Sequence, residues 1–384
     1  MKQQLGLYVH IPFCERKCLY CDFLSGPSTN EQKKRYVEAV KLEINQSIYD
    51  KKDYEVVSIF FGGGTPSSID PNDLVSILDA LCEKFDVKDR ASIEITIESN
   101  PGTLSKKKLS VYKKAGINRI SMGLQSTHNE ELKLLGRIHT YEEFLENYKA
   151  TKEAGFHNIN IDLMSALPKQ TKAAYEQTLD RILELRPTHI SAYSLIIEEG
   201  TPFYNLYGEG KPIEDALPSE EEDREMYHLT KKKLKEHGYH RYEISNYALD
   251  GKECIHNSLY WTGTQYLGFG VGASSYIDAT RYHNVEHTNE YIEAVKGQKE
   301  VRRDMEKLTK NEQMEEFMFL GLRLVRGVSK SEFEQRFGTT MESVYGEVLI
   351  KHKEEGLLQE AGDRVSLTED GLDVSNYVMS DFLL

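Results

Sequence analysis

The sequence predicts an α/β protein: a partial (β/α)6 TIM-like barrel, followed by a smaller, mostly helical C-terminal domain with a winged-helix-like end. Three observations carry this. Short β-branched runs recur six times in the first two hundred residues. Segments of helical period separate most of them. The alternation then stops near residue 205. Strand–helix alternation of this kind implies a parallel sheet with right-handed crossovers. Six units fall short of the usual eight of a closed barrel, and a doubly wound open sheet is the alternative.

The six runs are LYVHI (7–11), VVSIFF (56–61), SIEITIE (92–98), INRISMGL (117–124), INIDLMS (159–165) and HISAYSLI (189–196). After Thr29, the residues Val37, Val40, Ile44 and Ile48 recur at spacings of three and four, one face of a helix, and Thr29 with Gln32 fits a capping box. The next helix has Asp70 as its cap and Pro71 in its first turn, then Leu74, Ile77, Leu78 and Leu81 on one side. KKAGINRI (113–120) and KEAGFHNI (152–159) each predict a helix closed by glycine, Gly116 or Gly155, with a strand following. Residues 1–205 are therefore assigned to the barrel. The polar stretch 208–223 opens an extension, 206–300, with a helix at about 220–237, a run YEIS (242–245), a loop CIHNSLYW (254–261) and a glycine-rich run (266–276). Residues 301–384 form the last domain. There Gly362-Asp363 separates two short runs of LLQEAGDRVSLT (357–368), a hairpin.

Composition narrows the function. Lysine and arginine number 48 against 62 acids, a formal charge of −14, which argues against a general nucleic-acid binder. Residues 311–384 carry fifteen acids and seven basic side chains, so the winged-helix-like end does not read as a DNA reader. No apolar run approaches the roughly 20 residues of a membrane span, and no secretory h-region stands at the N-terminus. Five unevenly spaced cysteines do not make a disulfide framework. A cytoplasmic protein is expected, where clustered thiols more often serve metals.

Three of those cysteines, Cys14, Cys18 and Cys21, stand as C-x3-C-x2-C directly after the first predicted strand. A [4Fe–4S] cluster is usually held by four thiolates, one per iron. Three leave one iron open to an external chelate, and the amino and carboxylate groups of a methionine suit it. This is the logic of radical S-adenosylmethionine (SAM) chemistry. The alternative is a zinc site completed by a distant histidine. GGGTP (62–66) follows the second strand, where glycines let a ligand approach backbone closely. ESNP (98–101) follows the third, Gln125 and Arg137 follow the fourth, and Asp162 lies on the fifth. Loops at the C-terminal ends of barrel strands are where active sites belong.

The order of YVHIPFCxxxCxxC, GGGTP, ESNP, RISMGLQS, LGRIH, DLMSALPKQT, YSLIIEEGTPF, YEISNYA and YLGFGVGAS resembles the coproporphyrinogen dehydrogenase branch of the radical SAM superfamily over nearly the whole chain. The resemblance implies a radical SAM partial barrel and carries SAM contacts onto Tyr8, Tyr20, Gly63, Gly64, Thr65, Glu98, Gln125, Arg137, Asp162 and Ser194. The dehydrogenases have a fourth cysteine two positions after the third, where this chain has Phe23, and an N-terminal arm for which Cys14 comes too early. Both departures match the sister group of heme chaperones, to whose HNxxYW motif HNSLYW (256–261) is similar.

That branch implies heme bound through His256, with Cys254 as a further candidate ligand, and its transfer to an acceptor protein such as a heme-requiring membrane enzyme. Imidazole is a common axial ligand of heme iron, and Tyr260 and Trp261 offer flat faces to a porphyrin. From residue types alone, these aromatics could equally plug the barrel or a domain junction, and Cys254 could be a small buried residue, as Cys82 is taken to be. Cleavage of SAM would need a reductant of the flavodoxin type. A role of the cluster in dimerisation or control, and with it a homodimer, stays open. So does the alternative function, oxidative decarboxylation of coproporphyrinogen III.

Overall fold

Residue-by-residue alternation builds the sheet. The computed structural model describes residues 2–384. Strands β1 (Gln3–Ile11), β2 (Tyr54–Gly63), β3 (Glu94–Ser99), β4 (Arg119–Gln125), β5 (Asn158–Ser165) and β6 (His189–Ser194) pair in that order, all parallel. One set of alternate residues (Leu7, Val9, Ile59, Phe61, Ile95, Ile97, Ile120, Ile161) is buried in the apolar core beneath the helices. The other set is polar and equally buried: Ser58, Thr96, Arg119, Ser121, Asn160, His189 and Ser191. Asn160 and His189 bond to each other, and Ser121 and Ser191 bond to Asn160, so this set faces one shared lumen. The barrel is thus greasy outside, under its helices, and hydrogen-bonded within.

The crossovers are α1 (Asn30–Gln46), α2 (Pro71–Phe85), α3 (Lys106–Lys114), α4 (Asn129–Leu134), α5 (Tyr141–Glu153) and α6 (Lys172–Leu185). On α1, Val37, Val40 and Ile44 are buried as expected. Ile48 is not: the helix ends at Gln46, and Ile48 is 77% exposed. Only half of the expected capping box forms, because the Thr29 hydroxyl accepts from the Gln32 amide but the Gln32 side chain is taken by Ser28. On α2, Asp70 caps, and Leu74, Ile77, Leu78 and Leu81 are fully buried, each contributing roughly 1.5–3 kcal/mol. Gly116 and Gly155 take the left-handed conformation after α3 and α5.

The sheet does not stop at residue 205. After α7 (Pro202–Tyr207) and α8 (Glu220–Glu236) come β7 (His240–Arg241) and β8 (Asn246–Ala248), and β8 adds antiparallel to β6. The run YEIS bridges these two strands. The expected loop 254–261 is instead a helix, α9 (Ile255–Trp261). β9 (Tyr266–Phe269) pairs parallel with the free edge of β1. Beyond it lie β10 (Ser274–Ile277), β11 (Thr280–Asn284) and, after α10 (Thr288–Lys296), β12 (Arg302–Lys307). With β1 and β6 paired to β9 and β8 rather than to each other, the barrel is open, twelve strands in one sheet.

The remaining elements are α11 (Lys310–Gly321), β13 (Val328–Ser329), α12 (Lys330–Phe337), α13 (Met341–Glu354), β14 (Leu358–Ala361), β15 (Arg364–Leu367), α14 (Glu369–Asp373) and α15 (Ser375–Ser380). Their core is separate, built on Phe317, Phe333, Tyr345 and Val365. β14 and β15 form the expected hairpin about Gly362-Asp363, and β13 joins it in a three-stranded wing. Among the described residues no helix is long and apolar enough to cross a membrane.

Candidate cluster and ligand site

The three thiols lie in the loop after β1, at the C-terminal end of the parallel strands. All are free and partly exposed. The loop is tied down at several points. The Cys14 N–H donates to the Gly26 carbonyl, the Leu19 N–H to that of Leu135, and the Phe203 N–H to that of Leu19. Two of the sulfurs also meet neighbouring loops. Cys14 Sγ is 3.4 Å from Thr65 Oγ1, and Arg137 Nη1 donates to Cys18 Sγ at 3.6 Å. The other two cysteines are remote from this loop, Cys82 on α2 and Cys254 at the start of α9, both buried. Phe23 stands 62% exposed, so no fourth thiol from this chain is at hand. Among the described residues no three His, Cys, Asp or Glu side chains converge on one point to hold a single metal ion. Three thiols in one loop with no fourth thiol beside them are a donor set that fits a cluster with one iron left free.

Several of the expected contact residues lie near this loop. Gly63 has φ +109°, and a Cβ there would lie 2.6 Å from the His10 ring. A Cβ on Gly64 would lie 2.9 Å from the Phe13 carbonyl and 3.0 Å from Cys14 Sγ. Only glycine permits this approach. The Gly63 N–H donates to Glu98 Oε2 at 3.2 Å. Glu98 is buried, and burial first, then the charge of Asp162, pushes its pKa up to about 8. Burial also raises Asp162, which accepts from Asn160 Nδ2 at 2.7 Å. Gln125 sits at a register shift of β4 with φ +77°.

Two residues are hubs that the sequence reading did not single out. Asn100 donates to Thr65 Oγ1 at 2.7 Å and accepts from Arg137 Nη2 at 2.8 Å, so it fixes the arginine that faces Cys18. His10 bonds the Tyr8 hydroxyl at 3.0 Å and the Leu24 carbonyl at 2.9 Å, bracing the cluster loop. Asn100 lies inside the ESNP run, two residues after Glu98. Tyr20 packs its ring edge on Phe203 at the rim, with burial raising its hydroxyl. Ser194 lies further out, its hydroxyl donating to Asp223 of α8 at 2.6 Å.

His256 and Cys254 lie elsewhere. They enter from the opposite mouth of the barrel, Cys254 beside Glu94 at the start of β3 and the His256 ring further in, against Phe60 and Tyr8. His256 is 1% exposed, and both ring nitrogens are engaged: Nδ1 with Ser58 Oγ at 2.8 Å and Nε2 with Tyr260 Oη at 2.9 Å. Its ring stacks on Phe60 at 5.0 Å. Burial, then Arg119, lowers its pKa to about 3. Cys254 is the cap residue of α9, fully buried, its Sγ 3.5 Å from Glu94 Oε1 and its pKa pushed up to about 12 by burial. It is a thiol, not a thiolate. Glu94 accepts the first two amides of α9, from Ile255 and His256, both at 3.1 Å. In this form α9 plugs the lower mouth, and neither expected heme ligand has a free donor atom facing solvent.

Comparison with known proteins gives the family. Residues 8–182 match the radical SAM superfamily and residues 308–374 the HemN C-terminal domain. The heme chaperone HemW of Bacillus subtilis is 38% identical over 98% of both chains, and that of Escherichia coli is 33% identical over 99% of this chain and 98% of its own. This chain belongs to the HemW family of radical SAM proteins. A HemW of Lactococcus lactis is 38% identical over 98% of this chain and 97% of its own. Coproporphyrinogen III oxidase (HemN) of E. coli, at 24% identity, shares the fold, with a TM-score of 0.86 over all of this chain and 90% of that one. As a radical SAM family, HemW implies a [4Fe–4S] cluster and SAM.

Proposed function

We propose that this chain is a heme chaperone: it binds heme, carries a three-thiolate [4Fe–4S] cluster with SAM on the open iron, and passes heme to an acceptor protein. The observation that carries the reading is the loop of three partly exposed thiols with no fourth in reach, in a chain whose HemW relatives match it end to end. Cys14, Cys18 and Cys21 would hold the cluster. When bound, it supplies one-electron chemistry at the methionyl sulfonium. Gly63, Gly64 and Thr65 offer backbone and hydroxyl groups to SAM, Arg137 a positive charge, and Glu98 and Asp162 buried carboxyl groups. Tyr8, Tyr20, Gln125 and Ser194 complete the proposed contacts. His256 remains the proposed iron ligand of heme, on condition that α9 leaves the barrel mouth. The acceptor is proposed to be a heme-requiring membrane enzyme.

The test sets the two chemistries of the fold against each other. Anaerobic, cluster-loaded protein with SAM and a chemical reductant is expected to leave coproporphyrinogen III intact, while the same preparation takes up heme and yields it to an apo-acceptor. Formation of protoporphyrinogen would replace this reading with the dehydrogenase one.

Glu98 gives a second expected outcome. Near pH 7 it holds its proton. A cationic ligand beside it favours the carboxylate, so uptake releases a proton. SAM affinity is then expected to rise with pH, by up to about tenfold per unit below pH 8, and to level off above. Glu98→Gln is expected to bind more weakly with no such slope. A wild-type affinity that is flat from pH 6 to 9 would remove Glu98 from the site.

A further inference from the structure

The connection between β8 and β9 is built as a strap. β8 borders β6 and β9 borders β1, so residues 249–265 run from one edge of the parallel strands to the other, across the lower mouth, with α9 at their centre. Gly251 and Gly263 stand on either side of α9, with φ of +69° and +62°. The helix between them is weak. The Ser258 and Thr262 hydroxyls bond back to the carbonyls four residues earlier, an arrangement that loosens helices. A cleft of about 560 Å³ lies beside it, lined in part by Glu94, Ile255, Ser258 and Leu259.

The hydrogen bonds that tie α9 to the barrel come from residues 254–256, at one end. Glu94 takes three of the donors there, the Ile255 and His256 amides and the Cys254 thiol. The Cys254 N–H goes to the Tyr242 hydroxyl, and the His256 ring to Ser58. While Glu94 serves α9, a second partner goes short. Arg119 on β4 is 2% exposed, its Nε has no hydrogen-bond partner among the described residues, and Glu94 Oε2 lies 4.0 Å from it. A buried guanidinium left this way is costly. Release of α9 frees Glu94 to close on Arg119, so this carboxylate has a partner whether the helix is seated or not. Under the middle of α9, Gly6 of β1 leaves the seat open: a Cβ there would lie 2.7 Å from Leu259 Cδ1 and 3.4 Å from the His256 ring.

We propose that Glu94 is the positioning residue of the heme ligand: it latches α9 in the lower mouth, and its release lets the helix swing out about Gly251 and Gly263 and present His256. The purpose of the latch rests on the heme reading above, but the latch itself is tested without heme.

The test uses Cys254, the buried thiol at the latched end, as reporter. The full, cluster-loaded chain is treated anaerobically with iodoacetamide, and modification of Cys254 and of Cys82 is followed by peptide mass spectrometry. Cys82, buried on α2, reports opening of the barrel as a whole. In the wild type Cys254 is expected to react through local opening, nearly independent of low urea, whereas Cys82 accelerates with urea. Glu94→Gln, which removes the charge from the cap, is expected to speed Cys254 about tenfold and to leave Cys82 within about twofold of wild type. Gly6→Ala leaves Glu94 untouched and crowds Leu259 in its seat. The same selective gain is expected there, so a poorly folded Glu94 variant does not close the question. Equal urea dependence of the two thiols in the wild type overturns the proposal. So does a gain at Cys254 that Cys82 matches in both variants, which is loss of structure and not release of a latch. Heme is then added to each chain, and uptake is expected to quicken in the variants in step with Cys254. Uptake at the wild-type rate in variants whose Cys254 is released overturns the role of Glu94 in presenting His256. A wild type that opens selectively at Cys254 yet takes up no heme sinks the functional reading and leaves the latch standing.

Discussion

Cys18→Ala is expected to lose stoichiometric iron after anaerobic reconstitution while its iron-free form unfolds at nearly the wild-type denaturant concentration. The two halves of this expectation come from different observations. The sulfur of Cys18 belongs to no apolar cluster and accepts from the Arg137 guanidinium, which keeps its bonds to Asn100 and to the Gly123 carbonyl when the sulfur is gone. Deleting one partly exposed Sγ therefore costs the fold less than about 1 kcal/mol. A cube gripped by two thiolates instead of three, with no other cysteine near, has no substitute ligand. The comparison must be made between iron-free forms, because a bound cluster stabilises whichever chain retains it. Cys82→Ala is the control. That side chain is buried on α2, so the variant is expected to lose stability but keep its iron. Full iron in Cys18→Ala, by metal and sulfide analysis, would take Cys18 out of the ligand set and remove the reason for an open iron corner.

Which parts of this molecule were legible in the sequence follows from the range of the interactions that make them. The six parallel strands, α1, α2 and the Gly362-Asp363 hairpin rest on periodicity, caps and turns within a few residues, and they are found where those signals place them. α9 is the informative failure. Cys-Ile-His-Asn-Ser-Leu-Tyr-Trp has weak helix formers and no serine, threonine, aspartate or asparagine at the cap position. Its N-terminal amides are capped instead by Glu94, 161 and 162 residues earlier in the chain, which no local reading can supply. The strand β9 was hidden in the same way, since glycine-rich YLGF becomes a strand by lying against β1. The candidate site behaves likewise. The thiols, the glycines and Glu98 stand in short runs whose spacing carries their chemistry. The role of Asn100 is visible only when the ends of β2, β3 and β4 are brought together.

The same helix supports the second large effect. His256→Ala is expected to destabilise the barrel by about 3 kcal/mol, combining a buried ring-sized cavity with two polar groups, the Ser58 and Tyr260 hydroxyls, left unpaired. Its pH dependence has a definite sign. The folded pKa of about 3 lies below the ordinary histidine value, so the folded state binds fewer protons than the unfolded one. The neutral ring's contribution is complete above about pH 6.5 and is lost as pH falls from there toward 3. Wild type should therefore weaken through this window more steeply than His256→Ala, whose unfolding curves should be flatter with pH. Heme titration separates the plug from the ligand. If α9 withdraws to present His256, then Tyr260→Phe, which releases Nε2 but keeps the ring, is expected to speed heme uptake, whereas His256→Ala abolishes the histidine-ligated spectrum. If both variants bind heme with wild-type affinity and spectrum, His256 is a structural plug only, and the iron ligand must be sought on another element of the chain. Trp261, the single tryptophan, packs under Arg323 with its ring centroid 4.3 Å from the guanidinium carbon, so its fluorescence reports directly whether α9 moves when heme arrives.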